Sequence, residues 1–123
     1  MPGRKILVVE DDPVILDLLT TNFELEGFEV ARAVDGVEGL QMARIEQPHA
    51  VVADIMMPRM SGLELLEALK SDPATSSIPV VFVSAKAQAD DIRAGLDAGA
   101  DDYVTKPFDP GDLVELITKL TDR

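Results

Sequence analysis

Near the start of this 123-residue chain, Ile6-Leu7-Val8-Val9-Glu10-Asp11-Asp12-Pro13 joins four apolar residues to three acids and a proline. Four consecutive apolar residues do not alternate as a half-exposed strand would, so the run fits a strand covered on both faces, as in a parallel sheet. Three acids end it. Asp12 before Pro13 is a helix start: the carboxylate serves as N-cap, and proline takes the first helical position, where its missing N–H costs nothing. A buried strand feeding directly into a helix is the first half of a strand–helix–strand unit.

The pattern repeats along the chain. Val14, Ile15, Leu18, Leu19 and Phe23 recur at helical spacing and predict one inward face, with Gly27 as a left-handed stop. Further apolar runs at Phe28 to Ala33, Ala50 to Ala53, Pro79 to Val83 and, more weakly, Asp102 to Thr105 predict four more strands after Lys5 to Val9. Between them lie helical segments. Asp35 with Glu38 opens the second helix, which carries Val37, Leu40 and Ala43 inward until Pro48; Ser61 with Glu64 opens the third, with Leu65, Leu66 and Leu69 inward and Asp72-Pro73 as its end. The fourth runs from about Ala89 to Ala98, with Ile92 and Leu96 inward and Gly99 as its cap. The fifth starts at Asp109-Pro110 and uses Leu113, Leu116, Ile117 and Leu120. Five strands each followed by a helix predict an open three-layer α/β domain with a parallel sheet, spanning residues 4–121, and no linker or repeat marks a second domain.

Composition narrows the function classes. With 46% apolar and 28% charged residues the chain has the balance of a globular protein, and no apolar run approaches the ~20 residues of a membrane span. Met1 to Lys5 lead straight into the first strand, which leaves no space for a targeting segment, so a cytoplasmic location is expected. There is no cysteine, which excludes disulfides, thiolate metal sites and cysteine nucleophiles. A net charge of −12 argues against direct contact with nucleic acid or an anionic membrane and suits a divalent cation.

In a parallel sheet the carboxyl ends of the strands share one edge, and ligands bind outside it. At those ends stand Glu10, Asp11 and Asp12, then Asp54, then Ser84, then Lys106-Pro107. Glu10, Asp11 and Asp54 brought together repel one another by about 4 kcal/mol per pair at 4 Å and an effective dielectric of 20. Oxygen donors of this kind select a hard cation, Mg²⁺, and Lys106 adds a positive charge from the other side. Between them, a phosphoryl group attacked in line by an Asp54 oxygen would have its charge neutralised, which makes Asp54 a phosphoryl acceptor.

The motifs Ile6-Leu7-Val8-Val9-Glu10-Asp11-Asp12, Asp54-Ile55-Met56-Met57-Pro58 with Gly62, Ser84-Ala85, and Asp102-Tyr103-Val104-Thr105-Lys106-Pro107-Phe108 resemble those of response-regulator receiver domains of two-component signalling. The resemblance implies a flavodoxin-like, doubly wound (βα)5 fold with sheet order 2-1-3-4-5. It implies aspartyl phosphorylation at Asp54, with Asp11 as a direct Mg²⁺ ligand, Glu10 acting through water and the Met56 backbone carbonyl completing the set. It further implies Lys106 as the phosphate-contacting lysine with a cis bond to Pro107, Ser84 as the switch hydroxyl, and Tyr103 as the switch aromatic that turns inward on phosphorylation. The implied partners are a sensor histidine kinase or phosphotransfer protein, which donates the phosphoryl group, and a downstream protein partner or fused effector read through the face of helix four, strand five and helix five. The domain would catalyse only its own phosphorylation and dephosphorylation.

Plainer roles compete at several positions. Asp12 is read as a helix cap alone, and Asp90, Asp91, Asp101 and Asp102 as solvated caps flanking the fourth helix. Ser84 can simply bond a neighbouring backbone group, Tyr103 can be ordinary packing, and the single histidine, His49, has no metal partners. Two other functions share the architecture. A phosphohydrolase resembling the haloacid dehalogenase group needs a second Asp two residues past the nucleophile, where this chain has Met56; a mononucleotide binder would be repelled by the acids after the first strand. Met56 and Lys86, bordering the path of hydrolytic water, predict slow loss of the phosphoryl group, since a thioether cannot orient water.

Overall fold

In the computed structural model, which describes residues 3–122, the strands are Lys5–Val9 (β1), Glu29–Ala33 (β2), Ala50–Ala53 (β3), Val80–Ser84 (β4) and Asp102–Thr105 (β5). They pair in parallel in the order β2-β1-β3-β4-β5. The helices are Pro13–Leu25 (α1), Gly36–Glu46 (α2), Gly62–Ser71 (α3), Ala89–Asp97 (α4) and Pro110–Thr121 (α5). Met1 and Pro2 lie outside the described residues, so the expectation about a targeting segment falls partly beyond them.

The apolar run of β1 is explained by two cores, one on each face of the sheet. Leu7 and Val9 join Val51, Leu65, Leu66, Leu69 and Phe82 on one side. Ile6 and Val8 join Leu19, Phe23, Val52, Val81 and Ile117 on the other. Alternate residues of one strand thus enter different cores, and neither face tolerates a polar side chain. The helix starts are set by side chains. Asp12 accepts the Val14 N–H at 2.9 Å, Asp35 the Glu38 N–H at 2.8 Å and Asp109 the Gly111 N–H at 2.7 Å, while Ser61 and Glu64 form a reciprocal capping box. Gly27 follows α1 at φ +90°, as its stop signal predicts.

Several sequence expectations change. On α1 the buried set is Leu16, Leu19, Thr20 and Phe23, whereas Val14 is 74% exposed and Leu18 is exposed as well. Val14 and Leu18 stand two residues from Leu16, about 200° round the helix, and apolar residues on both faces of α1 conceal which is inward. Leu96 is also exposed, because α4 meets the sheet through Gly95, its only buried residue. A Cβ at Gly95 would lie 2.9 Å from the Tyr103 ring and 3.2 Å from that of Phe82, so the helix backbone itself rests on the two rings. Asp90 and Asp91 are not caps but lie in the first turn of α4, where the helix dipole favours acids; Gln88 is the N-cap residue and makes no side-chain cap bond. Asp101 accepts the Val80 N–H at 3.0 Å and so fixes the start of β4, and Asp102 belongs to β5. His49 extends the β1–β3 ladder, its Nδ1 accepting the Lys5 N–H at 3.0 Å and its N–H donating to the Lys5 carbonyl at 2.8 Å. None of the described helices is long and apolar enough to cross a membrane.

Gly62 opens α3 directly against the end of β3: a Cβ there would sit 2.4 Å from the Asp54 carbonyl oxygen and 2.8 Å from the Ile55 Cα. Neither backbone atom can yield cheaply. Gly62→Ala is expected to lower stability by about 1–3 kcal/mol through overpacking, measured by urea denaturation; an unchanged midpoint would contradict this account of the α3 approach.

Candidate functional site

Register brings the candidate residues to one edge. Val9 pairs with Ala53, so Glu10 and Asp54 emerge side by side, and the Asp54 N–H is held by the Val9 carbonyl at 3.1 Å. Ser84 pairs with Thr105, and the Lys106 N–H donates to the Ser84 carbonyl at 2.8 Å, which directs the lysine toward the same place. The Lys106–Pro107 peptide is cis, as the resemblance implies.

At the centre, the Lys106 Nζ lies 2.7 Å from Asp54 Oδ2 and 2.8 Å from Glu10 Oε1. The remaining oxygens are also engaged: the Met56 N–H donates to Asp54 Oδ1 at 3.0 Å, and the Asp12 N–H donates to Glu10 Oε2 at 3.2 Å. Glu10 and Asp54 are buried, at 2% and 7% exposure, while Asp11 is exposed and has no ion-pair partner among the described residues. One carboxylate oxygen from each of Glu10, Asp11 and Asp54 lies within 4.8 Å of the others. Lys106 therefore neutralises part of the cluster itself by bridging two of its members. The charge left over, and an all-oxygen donor set with an exposed member, fit a hard divalent ion.

Electrostatics follow from this packing. Burial raises the Glu10 carboxyl above its ordinary range; the Lys106 and Asp12 bonds work against that rise, and the Asp54 charge adds to it. Burial alone would lower the Lys106 ammonium, but its bonds to Asp54 and Glu10 prevail and raise it, so it stays charged.

Ser84 and Tyr103 both bond the backbone of Lys86. The Ser84 Oγ, fully buried, accepts the Lys86 N–H at 3.3 Å, and the Tyr103 hydroxyl donates to the Lys86 carbonyl at 2.7 Å. Tyr103 is buried against Phe82, ring centroids 6.2 Å apart at 68°. Sequence reasoning treats Lys86 only as a side chain beside water; its backbone role has no sequence signal beyond a hydroxyl two residues earlier. Met56, 56% exposed, lines an open cleft of about 520 Å³ with Asp11, Met57, Pro58, Leu63 and Lys86. A second omission is the ion pair between Asp35, read only as a cap, and Arg59.

Residues 6–118 match the response regulator receiver domain family. The transcriptional regulatory protein PrrA of Mycobacterium tuberculosis is 44% identical over 119 residues, covering 97% of this chain and 50% of that protein. Among solved structures, the receiver domain of the Francisella response regulator 1452 is similar at TM-score 0.92 and 34% identity, covering 98% of each chain. The receiver domain of the sensor histidine kinase PA1611 of Pseudomonas aeruginosa is similar at TM-score 0.90 and 25% identity, covering 98% of this chain and 99% of that one, and it was solved with a magnesium ion coordinated in its active-site cleft. The chain belongs to the response-regulator receiver family. It spans about half the length of the curated relatives it matches.

Lys106→Met should leave two buried carboxylates without their cation and destabilise the chain in EDTA at pH 7 by up to about 3 kcal/mol, the low end for breaking a buried pair because the site is partly open to water. Glu10 is raised on folding, so the folded state takes up a proton as pH falls and the penalty of its buried charge is relieved. The deficit of the variant should narrow as pH falls toward the ordinary carboxylate range. A deficit independent of pH in denaturant titrations would contradict this.

Proposed function

We propose that Asp54 accepts a phosphoryl group from the phosphohistidine of a sensor histidine kinase or phosphotransfer protein, and that the modified domain, residues 4–121, signals to a protein partner or fused effector. The observation that carries the reading is the Lys106 ammonium bonded to both Asp54 Oδ2 and Glu10 Oε1 within a cluster of three carboxylates. Glu10, Asp11, Asp54 and the Met56 backbone carbonyl would hold Mg²⁺, a reading supported by the magnesium found in the PA1611 receiver domain. Bound there, the ion supplies charge that offsets repulsion among the acids and between them and the incoming phosphoryl oxygens.

The chain's own groups account for the rest. The Met56 N–H orients the Asp54 carboxylate from one side and Lys106 from the other, which restricts its rotation before attack. An Asp54 oxygen forms the new bond to phosphorus while the phosphorus–nitrogen bond of the donor breaks and its electron pair returns to the imidazole. Lys106 then exchanges its bond to Asp54 Oδ2 for one to a phosphoryl oxygen, and hydrolysis of the acyl phosphate later restores the carboxylate. The catalysis is confined to the domain's own modification.

The response runs through Lys86. A phosphoryl group drawing Ser84 toward it loosens the bond to the Lys86 N–H, and the carbonyl of that residue is what Tyr103 holds. The adjoining α4 lacks a side-chain cap bond and buries only Gly95, so it is weakly anchored and can move, altering the α4–β5–α5 face. A full shift from 1:99 to 99:1 requires roughly 5.5 kcal/mol, and a partly preformed active state would need less. The relatives' greater length favours a longer protein with a fused effector, with this acidic, cytoplasmic domain making no nucleic-acid or membrane contact itself.

Incubation with acetyl phosphate and Mg²⁺ should give one phosphoryl adduct by intact mass, absent with EDTA and absent in Asp54→Asn; an adduct that persists in the variant would overturn the assignment. Met56→Asn, which offers an amide to hydrolytic water, should shorten the acyl-phosphate lifetime. An equal or longer lifetime, followed by loss of the adduct over time, would contradict the role given to the thioether.

A further inference from the structure

Arg59 lies in the loop between Asp54 and α3 and has φ +66°, a left-handed conformation uncommon for a residue other than glycine. Its partner is Asp35. The Arg59 guanidinium places Nε 2.9 Å and Nη2 2.7 Å from Asp35 Oδ2, while Asp35 Oδ1 accepts the Glu38 N–H at 2.8 Å. One buried carboxylate, 5% exposed, thus caps α2 with one oxygen and tethers the loop with the other. Gly36 brings the two segments together: a Cβ there would lie 2.3 Å from the Met60 carbonyl oxygen, so the first turn of α2 rests directly on the loop backbone. At the far end the loop closes on its own start just past β3, where the Gly62 N–H donates to the Ile55 carbonyl at 2.9 Å.

The segment between these anchors contains Met56, whose N–H holds Asp54 Oδ1. We propose that the Asp35–Arg59 ion pair is a positioning pair for the phosphoacceptor loop: by tying the loop to α2 it keeps the Met56 N–H on Asp54 and the Met56 carbonyl presented to the cation, and so sets Mg²⁺ affinity and the rate of phosphoryl uptake. This rests on the reading of Asp54 as the acceptor. Arg59 is 61% exposed, so solvent screens the pair and its contribution to global stability is small. The consequence is local, because supporting groups that orient a ligand act on affinity without touching the ion.

The test uses the 123-residue chain as wild type, Arg59→Gln, Arg59→Lys, Asp35→Asn and the Arg59→Gln/Asp35→Asn double variant. Asparagine retains the α2 cap while removing the charge. Mg²⁺ affinity is read by calorimetry, phosphoryl uptake by intact mass with acetyl phosphate, and unfolding midpoints in EDTA. Arg59→Gln and Asp35→Asn should each weaken Mg²⁺ binding by about tenfold, the low end for a supporting residue, with near-wild-type midpoints. The double variant should lose no more than either single one, and Arg59→Lys should recover part of the loss. Wild-type affinity in the single variants, losses that multiply in the double one, or losses that only track a lowered midpoint would each overturn the positioning role. A wild-type chain that takes up no phosphoryl group would instead overturn the acceptor reading, which separates the two failures.

Discussion

A single ammonium group lies between two buried carboxylates, and the surrounding structure has to hold it there. Lys106 reaches Glu10 and Asp54 from a strand end two positions across the sheet from β3, and the two acids could not share that edge uncompensated. Their mutual repulsion, on the order of 4 kcal/mol at close range, is comparable with a large fraction of a small domain's net stability. The lysine offsets part of it. Asp11, exposed and without an ion-pair partner among the described residues, is where the unbalanced charge meets solvent, and a divalent ion is the chemically matched counter-charge.

The fold maintains this arrangement by backbone contacts more than by side chains. Parallel register sets Glu10 beside Asp54, and the Ser84 carbonyl fixes Lys106. Gly62 and Gly36 let α3 and α2 approach so closely that a methyl group would collide with carbonyl oxygens of the same loop. The site is therefore stiff on the β3 side and looser on the β4 side, where α4 rests on two rings through Gly95 and its N-terminus lacks a side-chain cap bond. Rigidity where phosphorus would bond and compliance where the signal would leave are what a phosphorylation-driven switch requires.

Much of this was legible in the residues. The strands were readable because burial on both faces leaves only apolar residues in β3 and, beyond Lys5, in β1, and the helix starts because Asp12-Pro13, Ser61 with Glu64, and Asp109-Pro110 carry their caps locally. The sheet order came from resemblance, since periodicity is blind to which strands are neighbours. What failed depended on tertiary context. Apolar residues on both sides of α1 hid its inward face, and α4 buries a glycine, which no hydrophobic pattern announces. The Asp35–Arg59 pair and the bond from Tyr103 to the Lys86 carbonyl join positions far apart in the chain by polar contacts that leave no periodic trace.

The central claim, that three carboxylates and one lysine form a cation site poised for phosphoryl transfer, is tested most directly by chain stability against Mg²⁺ concentration. An ion that binds only the folded state adds about 2.7 kcal/mol at one hundred times its dissociation constant. The urea midpoint of the wild type should climb with Mg²⁺ along that curve, and Asp11→Ala should flatten it. A wild-type midpoint indifferent to Mg²⁺ through the millimolar range would contradict the account.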